Sequence, residues 1–315
     1  MSESSHSFFE GPEKKVELVA HPSAGSLRER DTSLWQEVVR AANASILSTR
    51  SNDFFDAYLL SESSLFVFPD HATMITCGRT TLVTSVIKMI EEIGTANIAL
   101  LVYERKNEHF PTMQHSSFRG DVALLRRHVD GRALRFGVEH AHRIDMFVSG
   151  LDYKPDKNDV TLEVLMHGLD RDRAKQFRGD PKERSARTLG LDALVEGGPF
   201  LIDEYAFRPA GYSLNALSKG TYYTVHVTPE DEGSYASFET NVDFRSDPSA
   251  LVARVVSAFE PESFDVLAFA PIPDSIDCQV AGYLPFKQVH EAIAGYEVSF
   301  RSFFRPQGLE RATEL

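Results

Sequence analysis

A serine placed directly after a glutamate can do more than turn a chain. In Leu60-Ser61-Glu62-Ser63-Ser64-Leu65-Phe66, the Ser63 hydroxyl can attack the carbonyl of the peptide bond before it. That N→O acyl shift converts the amide into an ester. Removal of the serine Hα then expels the Glu62 carboxylate, and the dehydroalanine left behind hydrolyses to a pyruvoyl group and ammonia. Such chemistry needs a strained bond and a base rather than a special nucleophile. The same polar residues also make an ordinary turn between strands, and the spelling alone leaves both readings open. A base exists in Thr224-Val225-His226-Val227-Thr228, since imidazole suits proton abstraction near neutral pH. Alternation puts His226 on one face with Thr224 and Thr228, opposite Val225 and Val227. That pattern fits a half-polar cleft or an exposed strand. Of the two cysteines, Cys77 lies in Thr76-Cys77-Gly78, where a thiol can hold and give a proton or pack as a small apolar residue. Cys278 matches no motif and is read as packing.

The elements that must position these groups alternate irregularly. Period-two runs predict strands at 15–21, 44–49, 57–60, 65–68, 97–104, 133–140, 143–148, 200–207, 222–227, 235–241, 265–269, 279–283 and 296–304. Helical spacing predicts helices at 32–43, capped by Asp31 or Thr32, and at 82–93, 120–129, 250–259 and 286–294. The charged stretch 170–187 reads as an exposed helix and loop. Several strands are joined by turns too short for a crossover helix, so the sheets are largely antiparallel. Helices among them give α+β layering. Helix-bearing stretches at both ends raise an internal duplication, although no sequence repeat is visible.

Composition narrows the partners. The 315 residues are 42% apolar and 25% charged, with a formal net charge of −13, ordinary for a globular chain with a sizeable core. The acidic balance argues against nucleic acid and favours a cationic ligand. Two cysteines are too few for a disulfide-stapled domain. The first nine residues lack a basic stretch followed by an apolar run, so no signal peptide is expected, and the longest apolar stretch, 98–103, is too short for a bilayer. A cytoplasmic location follows as an expectation. No glycine-rich stretch carries a phosphate-loop or dinucleotide pattern, and no lysine stands out as a pyridoxal phosphate site. His140 and His142 lie two apart and would share a strand face. The sequence offers no evident third ligand, so no metal is expected.

Four motifs lie in a telling order. They are Phe8-Phe9-Glu10-Gly11-Pro12-Glu13-Lys14, the Ser63 stretch, Thr76-Cys77-Gly78, and the run from Gly211-Tyr212-Ser213 through His226 and Glu230 to Ser237-Phe238-Glu239-Thr240-Asn241. Together they resemble the eukaryotic-type, pyruvoyl-dependent S-adenosylmethionine decarboxylases, from Phe8 to at least Asn241. The last seventy residues align only loosely. The resemblance implies a four-layer α/β/β/α sandwich with two large antiparallel sheets and a processing site near the sheet edges. It implies one domain, self-cleaved between Glu62 and Ser63 into residues 1–62 (the β chain) and 63–315 (the α chain). The pyruvoyl group would form a Schiff base with S-adenosylmethionine and take up the electrons released with CO2. The product would donate aminopropyl groups for spermidine and spermine synthesis. In this reading His226 is the processing base, Ser213 assists it, and Cys77 reprotonates the α-carbon. Phe9 and Phe207 sandwich the adenine, Glu230 accepts from the ribose hydroxyls, and Glu10 and Glu13 stand near the reaction centre.

Some family members are activated by putrescine, held in a buried acidic patch. The matching acids are Glu17, Asp159, Glu163 and Glu239. The family lysine before Thr-Cys-Gly is replaced by Ile75, whereas Lys15 matches an arginine of plant-type members that need no putrescine. Lys15 is therefore expected to supply a built-in positive charge, with Arg105 adding to it, leaving putrescine a weak effector. The processed αβ unit is expected as a monomer or homodimer. Two rivals are a weakly catalytic regulatory homologue and a pyruvoyl decarboxylase of another amino acid. The retained Glu62, Ser63, Cys77, Ser213 and His226 count against the first. The retained Phe9, Phe207 and Glu230 count against the second.

Overall fold

The computed structural model describes residues 9–138, 142–274 and 276–306. The first half of the chain forms β1 (Lys14–Ala20), β2 (Ile46–Ser51), β3 (Asp56–Leu60), β4 (Ser63–Val67), β5 (His71–Thr76), β6 (Ile98–Lys106), β7 (Arg132–Gly137) and β8 (Arg143–Ser149). They make one antiparallel sheet in the order β2-β3-β4-β5-β1-β6-β8-β7. The second half forms β9 (Thr161–His167), β10 (Leu201–Ala206), β11 (Tyr212–Ser218), β12 (Thr221–Thr228), β13 (Tyr235–Thr240), β14 (Ser263–Pro271), β15 (Leu284–Ile293) and β16 (Tyr296–Phe304). Their order is β10-β11-β12-β13-β9-β14-β16-β15, the first sheet's order shifted by eight. The duplication invisible in sequence is thus present in topology.

Helices α1 (Thr32–Ala41), α2 (Leu82–Ile93) and α3 (Phe118–Leu125) belong to the first half, α4 (Arg171–Gln176) and α5 (Pro248–Phe259) to the second. In α2 the buried residues Leu82, Val83, Val86, Met89, Ile90 and Ile93 form one stripe, as its spacing requires. Trp35, Val38, Val86 and Ile90 pack on Val16, Leu18, Leu65 and Met74 of the first sheet. Val252, Val255 and Phe259 of α5 pack on Val164, Val225 and Phe238 of the second. The opposite faces of the two sheets meet each other. Val102 and Met146 join Leu165, Leu267 and Phe300, and Phe55, Phe66 and Phe68 join Leu217 and Tyr222. The layers are therefore α/β/β/α. No helix of the described residues is long and apolar enough to cross a membrane.

Five elements differ from expectation. Residues 286–294 are not a helix but most of edge strand β15. It pairs with β16 through a two-residue turn, Ile293 facing Tyr296, with Ala294 and Gly295 both at positive φ (50° and 80°). Such a turn matches the twist of a hairpin, and the strand's mostly exposed face lacks the alternation that marks half-buried strands. Residues 279–283 form no strand. Strands β5, β9 and β11 carried no strand prediction. Glu163 in β9 and Asn215 in β11 are buried, so polar residues interrupt the apolar signal that strand patterns rely on.

Candidate active site

Alternation along the strands decides what enters the space between the sheets. Glu13, Lys15 and Glu17 share one face of the chain entering and forming β1, while Val16 and Leu18 face the helices. On β12, Thr224 and His226 face inward while Val225 and Val227 pack outward. A polar patch is thereby built inside an otherwise apolar inter-sheet layer.

At its centre lies the Glu62–Ser63 bond. Ser63 opens β4, the third strand from the edge, and is 1% exposed. It has φ of +130°, a region costly for a residue with a Cβ, on the order of 1–3 kcal/mol. Its Oγ is buried without a hydrogen-bond partner. The Glu62 carbonyl oxygen accepts from the Cys77 backbone N–H at 2.9 Å and from the Cys77 thiol at 3.4 Å. Gly78 follows at φ +65°, where a Cβ would stand 2.9 Å from Glu62 Oε2 and 3.0 Å from the Phe9 ring. Glycine is required here both by conformation and by close approach.

His226 is fixed at both ring nitrogens. Nδ1 lies 3.0 Å from Ser213 Oγ, and Nε2 lies 2.9 Å from Thr224 Oγ1 and 3.3 Å from Ser64 Oγ. Ser64 Oγ in turn donates to Asn215 Oδ1 at 2.6 Å. Burial alone lowers the His226 pKa to about 3, so the imidazole is neutral. Burial pushes the Cys77 thiol well above the usual range, with the Glu62 and Glu13 carboxyls adding to it, so Cys77 holds its proton. Burial also raises Glu13 to about 8, against the Ser237 hydroxyl that donates to its Oε1 at 2.6 Å. Glu62 is raised by burial to about 7, opposed by Lys14. The buried Lys14 ammonium donates to Gln114 Oε1 at 2.9 Å and Gly78 O at 3.3 Å.

Of the remaining expected residues, Phe9, Glu10 and Glu230 fall beside this centre, whereas Phe207 lies at a separate cavity. Both Glu10 carboxylate oxygens are spent on backbone N–H groups, of His109 and Phe110, each at 2.8 Å, so Glu10 anchors the segment after β6. Glu230 Oε1 accepts from the Phe9 N–H at 3.2 Å. Phe207 sits edge-on to Tyr205 at 4.8 Å, lining a cavity of about 500 Å³ with Arg184, Glu204 and Arg208. Phe8 lies outside the described residues. The centre is more interior than a sheet edge, because β2 and β3 flank β4 on the outside.

The acid patch lies deeper in the same layer. Lys15 Nζ sits 2.8 Å from Glu163 Oε1 and 2.9 Å from Glu239 Oε2. Burial works against its charge, but Glu163, Glu239 and Glu104 outweigh it and hold the ammonium well above the lysine range. Lys106 bonds both Glu104 and Glu163. Lys106 and Lys15 draw Glu163 down to about 2 despite burial. Lys15 is paired directly with Ile75 across β1 and β5, so it stands one strand over from the expected lysine position, on the same face. Glu17 lines a small gap with Lys15 and Glu104 and, with Asp159, a cavity of about 300 Å³, Asp159 accepting from Tyr296 at 2.5 Å and Tyr153 at 3.2 Å.

Arg105 does not join this patch. It lies on the opposite face of β6 from Glu104 and Lys106, bonded to Asp121 at 2.8 Å and to Glu108. Strand alternation puts residue 105 on the face opposite 104 and 106, and that rule would have selected Lys106 from the sequence. Ser64, Asn215 and Ser237 were likewise missed. Asn215 sits two residues from Ser213, and Ser237 is paired with His226 across β12 and β13. Only the pairing reveals the latter. His140 lies outside the described residues, and His142 bonds Asp265 on the other sheet at 2.9 Å.

Comparison with known proteins agrees with this architecture. A family model described as adenosylmethionine decarboxylase matches residues 6–303. The S-adenosylmethionine decarboxylase proenzyme of Dictyostelium discoideum is 35% identical, across 92% of this chain and 84% of the relative. That of Drosophila melanogaster is 34% identical, across 86% and 85%. The crystal structure of the Trypanosoma brucei AdoMetDC-delta26 monomer superposes with a TM-score of 0.61 at 25% identity, covering 77% of this chain and 99% of that one. By sequence along nearly its whole length, and by fold, this chain belongs to the adenosylmethionine decarboxylase family.

Proposed function

We propose that the chain is a proenzyme that cuts itself between Glu62 and Ser63 and then decarboxylates S-adenosylmethionine. The observation that carries this is the Glu62–Ser63 junction: a backbone at φ +130°, a buried unpartnered hydroxyl, and a carbonyl held by two donors of Cys77. The strained backbone favours attack of Ser63 Oγ on the Glu62 carbonyl carbon. The Cys77 N–H and thiol stabilise the negative charge that develops on the carbonyl oxygen. Collapse breaks the C–N bond and leaves Glu62 esterified to Ser63. The neutral His226 imidazole then takes the Ser63 Hα, and β-elimination releases the Glu62 carboxylate. Hydrolysis of the resulting dehydroalanine leaves ammonia and a pyruvoyl group.

The residues fit such a group, since Ser63 is enclosed and its neighbour Cys77 is a protonated thiol. A pyruvoyl ketone supplies an electron sink for the pair left behind when CO2 departs. In turnover Cys77 gives its proton to the substrate α-carbon. Glu13, neutral at pH 7, keeps charge out of the centre, and Glu10 fixes the backbone of 109–110. Phe9 and Phe207 take the adenine faces, a contact worth about 1–3 kcal/mol per ring, and aromatic faces attract the sulfonium. Glu230 takes the ribose hydroxyls. Retention of every one of these groups supports this substrate over another amino acid, and supports an active enzyme over a regulatory homologue.

The acid patch carries its own cations. Lys15 and Lys106 pair with Glu163 and Glu239 where a diamine would otherwise bring its charge, so activity needs no putrescine and responds to it only weakly. Both cysteines are free thiols, which supports a reducing, cytoplasmic setting. The test of processing is intact mass under denaturing conditions. The wild type should give fragments 1–62 and 63–315, the latter with a blocked N-terminus, and Ser63→Ala should remain one inactive chain. An active, uncleaved wild type would overturn the proposal.

A further inference from the structure

One titratable cluster takes no part in this chemistry. His142 enters β8 from the first sheet, while His167 ends β9 and Asp265 lies in β14 on the second. His142 Nδ1 is 2.9 Å from Asp265 Oδ1, and His167 Nε2 is 3.6 Å from Asp265 Oδ2. The two imidazoles meet edge to face at 4.8 Å, and one ligand atom from each of the three residues lies within 4.8 Å of the others. Asp265 is 2% exposed, whereas the imidazoles are part-exposed, leaving a way in from solvent.

The surroundings hold two hydroxyls with no partner. Ser302 is paired directly with Asp265 across β14 and β16 and shares its face, and its Oγ is buried and unbonded. Tyr235 sets its ring edge-on to His167 at 5.2 Å, and its hydroxyl is also buried and unbonded. A buried hydroxyl without a partner is costly, and that of Ser302, on the face of Asp265, points to an occupant with its own water.

We propose that His142, His167 and Asp265 bind a divalent transition cation of the zinc class, clipping the two sheets together at this end of the sandwich. Two imidazoles and one carboxylate suit zinc, cobalt or nickel and do not suit magnesium or calcium. A tetrahedral site with bonds of about 2.0–2.1 Å sets its ligand atoms about 3.3 Å apart. The two His–Asp separations, 2.9 Å to Oδ1 and 3.6 Å to Oδ2, lie on either side of that figure, and all three ligand atoms lie within 4.8 Å of one another, so side-chain rotation closes the site. A water completes the coordination. The role is structural. Tyr235 packs between His167 and the chain entering β1, since a Cβ on Gly11 would meet Tyr235 Cβ at 2.6 Å.

The experiment uses the full-length processed protein stripped with a chelator. Titration with Co2+ should give visible d–d bands that saturate at one equivalent and that Zn2+ erases but Mg2+ does not. Near-ultraviolet thiolate charge transfer should be absent, which separates this site from Cys77. Zn2+ should raise the melting temperature of the wild type but not of His142→Ala/His167→Ala, whose fold is checked by near-ultraviolet circular dichroism. No d–d bands at stoichiometric Co2+ in the wild type, or bands unchanged in the double variant, would overturn the proposal.

Discussion

His226 owes its neutral state to burial alone, and that fixes what it can do. A charged imidazole could not accept the Ser63 Hα, and the hydrogen-bond neighbours of His226 among the described residues, Ser213, Thr224 and Ser64, are uncharged. Removing the ring should leave the acyl shift possible and elimination blocked. His226→Ala is therefore expected to accumulate the ester. Hydroxylamine, which cleaves esters and spares amides, should then split the chain at Glu62, visible as two bands on a denaturing gel. A hydroxylamine-resistant His226→Ala chain would mean that the ring acts before the shift. Cys77 carries two separable roles. Its backbone N–H survives substitution, so Cys77→Ala should still process, more slowly by no more than the roughly 10²–10³-fold that one oxyanion donor is worth. Turnover should fall further, because no neighbouring thiol can protonate the α-carbon. Single-turnover measurement on processed Cys77→Ala decides this, and wild-type turnover would remove the donor role.

At the scale of the element, strand alternation does the sorting. On β6 it sends Glu104 and Lys106 inward and Arg105 outward, and across β1 and β5 it sets Lys15 against Ile75. A buried charge lacking its partner is costly, about 3–5 kcal/mol when one member of a pair is removed. Lys15→Leu is thus expected to lose stability on that order and to lower basal activity, with putrescine restoring part of both. Wild type should show little response to the diamine. Initial rates and melting temperatures against putrescine concentration test it, and strong activation of the wild type with an identical Lys15→Leu curve would make Lys15 a bystander. The same alternation explains what could be read from sequence. α2 was legible to the residue because its apolar stripe is uninterrupted. The Ser63, Cys77 and His226 stretches stood out because each is a contiguous motif. β9 was illegible because Glu163 is neutralised by Lys15 and Lys106, partners remote in the chain. β15 was misread because an edge strand buries too little to show a period of two. Ser237 and Asn215 needed the register between strands, which no single segment encodes.

The whole molecule inherits a pH dependence from the carboxyls it buries between its sheets. The folded pKa of Glu13 is about 8 and that of Glu17 about 7, both through burial first, against an ordinary 4.5; Glu62, also raised by burial, is about 7. The folded protein holds these protons where the unfolded chain has released them. Their contribution is complete below about pH 4.5 and is lost as pH rises through 7 to 8. His226 and Glu163 run the other way. Their folded values are depressed to about 3 and about 2, so their contributions are present above the ordinary histidine and glutamate values and are lost as pH falls. Above pH 6.5 the raised carboxyls, joined by His71 and His142, whose folded values also lie above the ordinary histidine value despite burial, hold more protons in the folded state than in the unfolded one, so stability should decline from pH 6.5 to pH 8. The measurement is the urea midpoint of the uncleaved Ser63→Ala chain across that range. Glu13→Gln in the same background keeps the volume and removes one such proton, and each proton is worth about 1.4 kcal/mol per pH unit. The double variant should therefore show a shallower slope than Ser63→Ala by up to that amount. Equal slopes would mean that Glu13 ionises in the folded protein as it does in water, and that the neutral carboxyl assigned to the reaction centre is wrong.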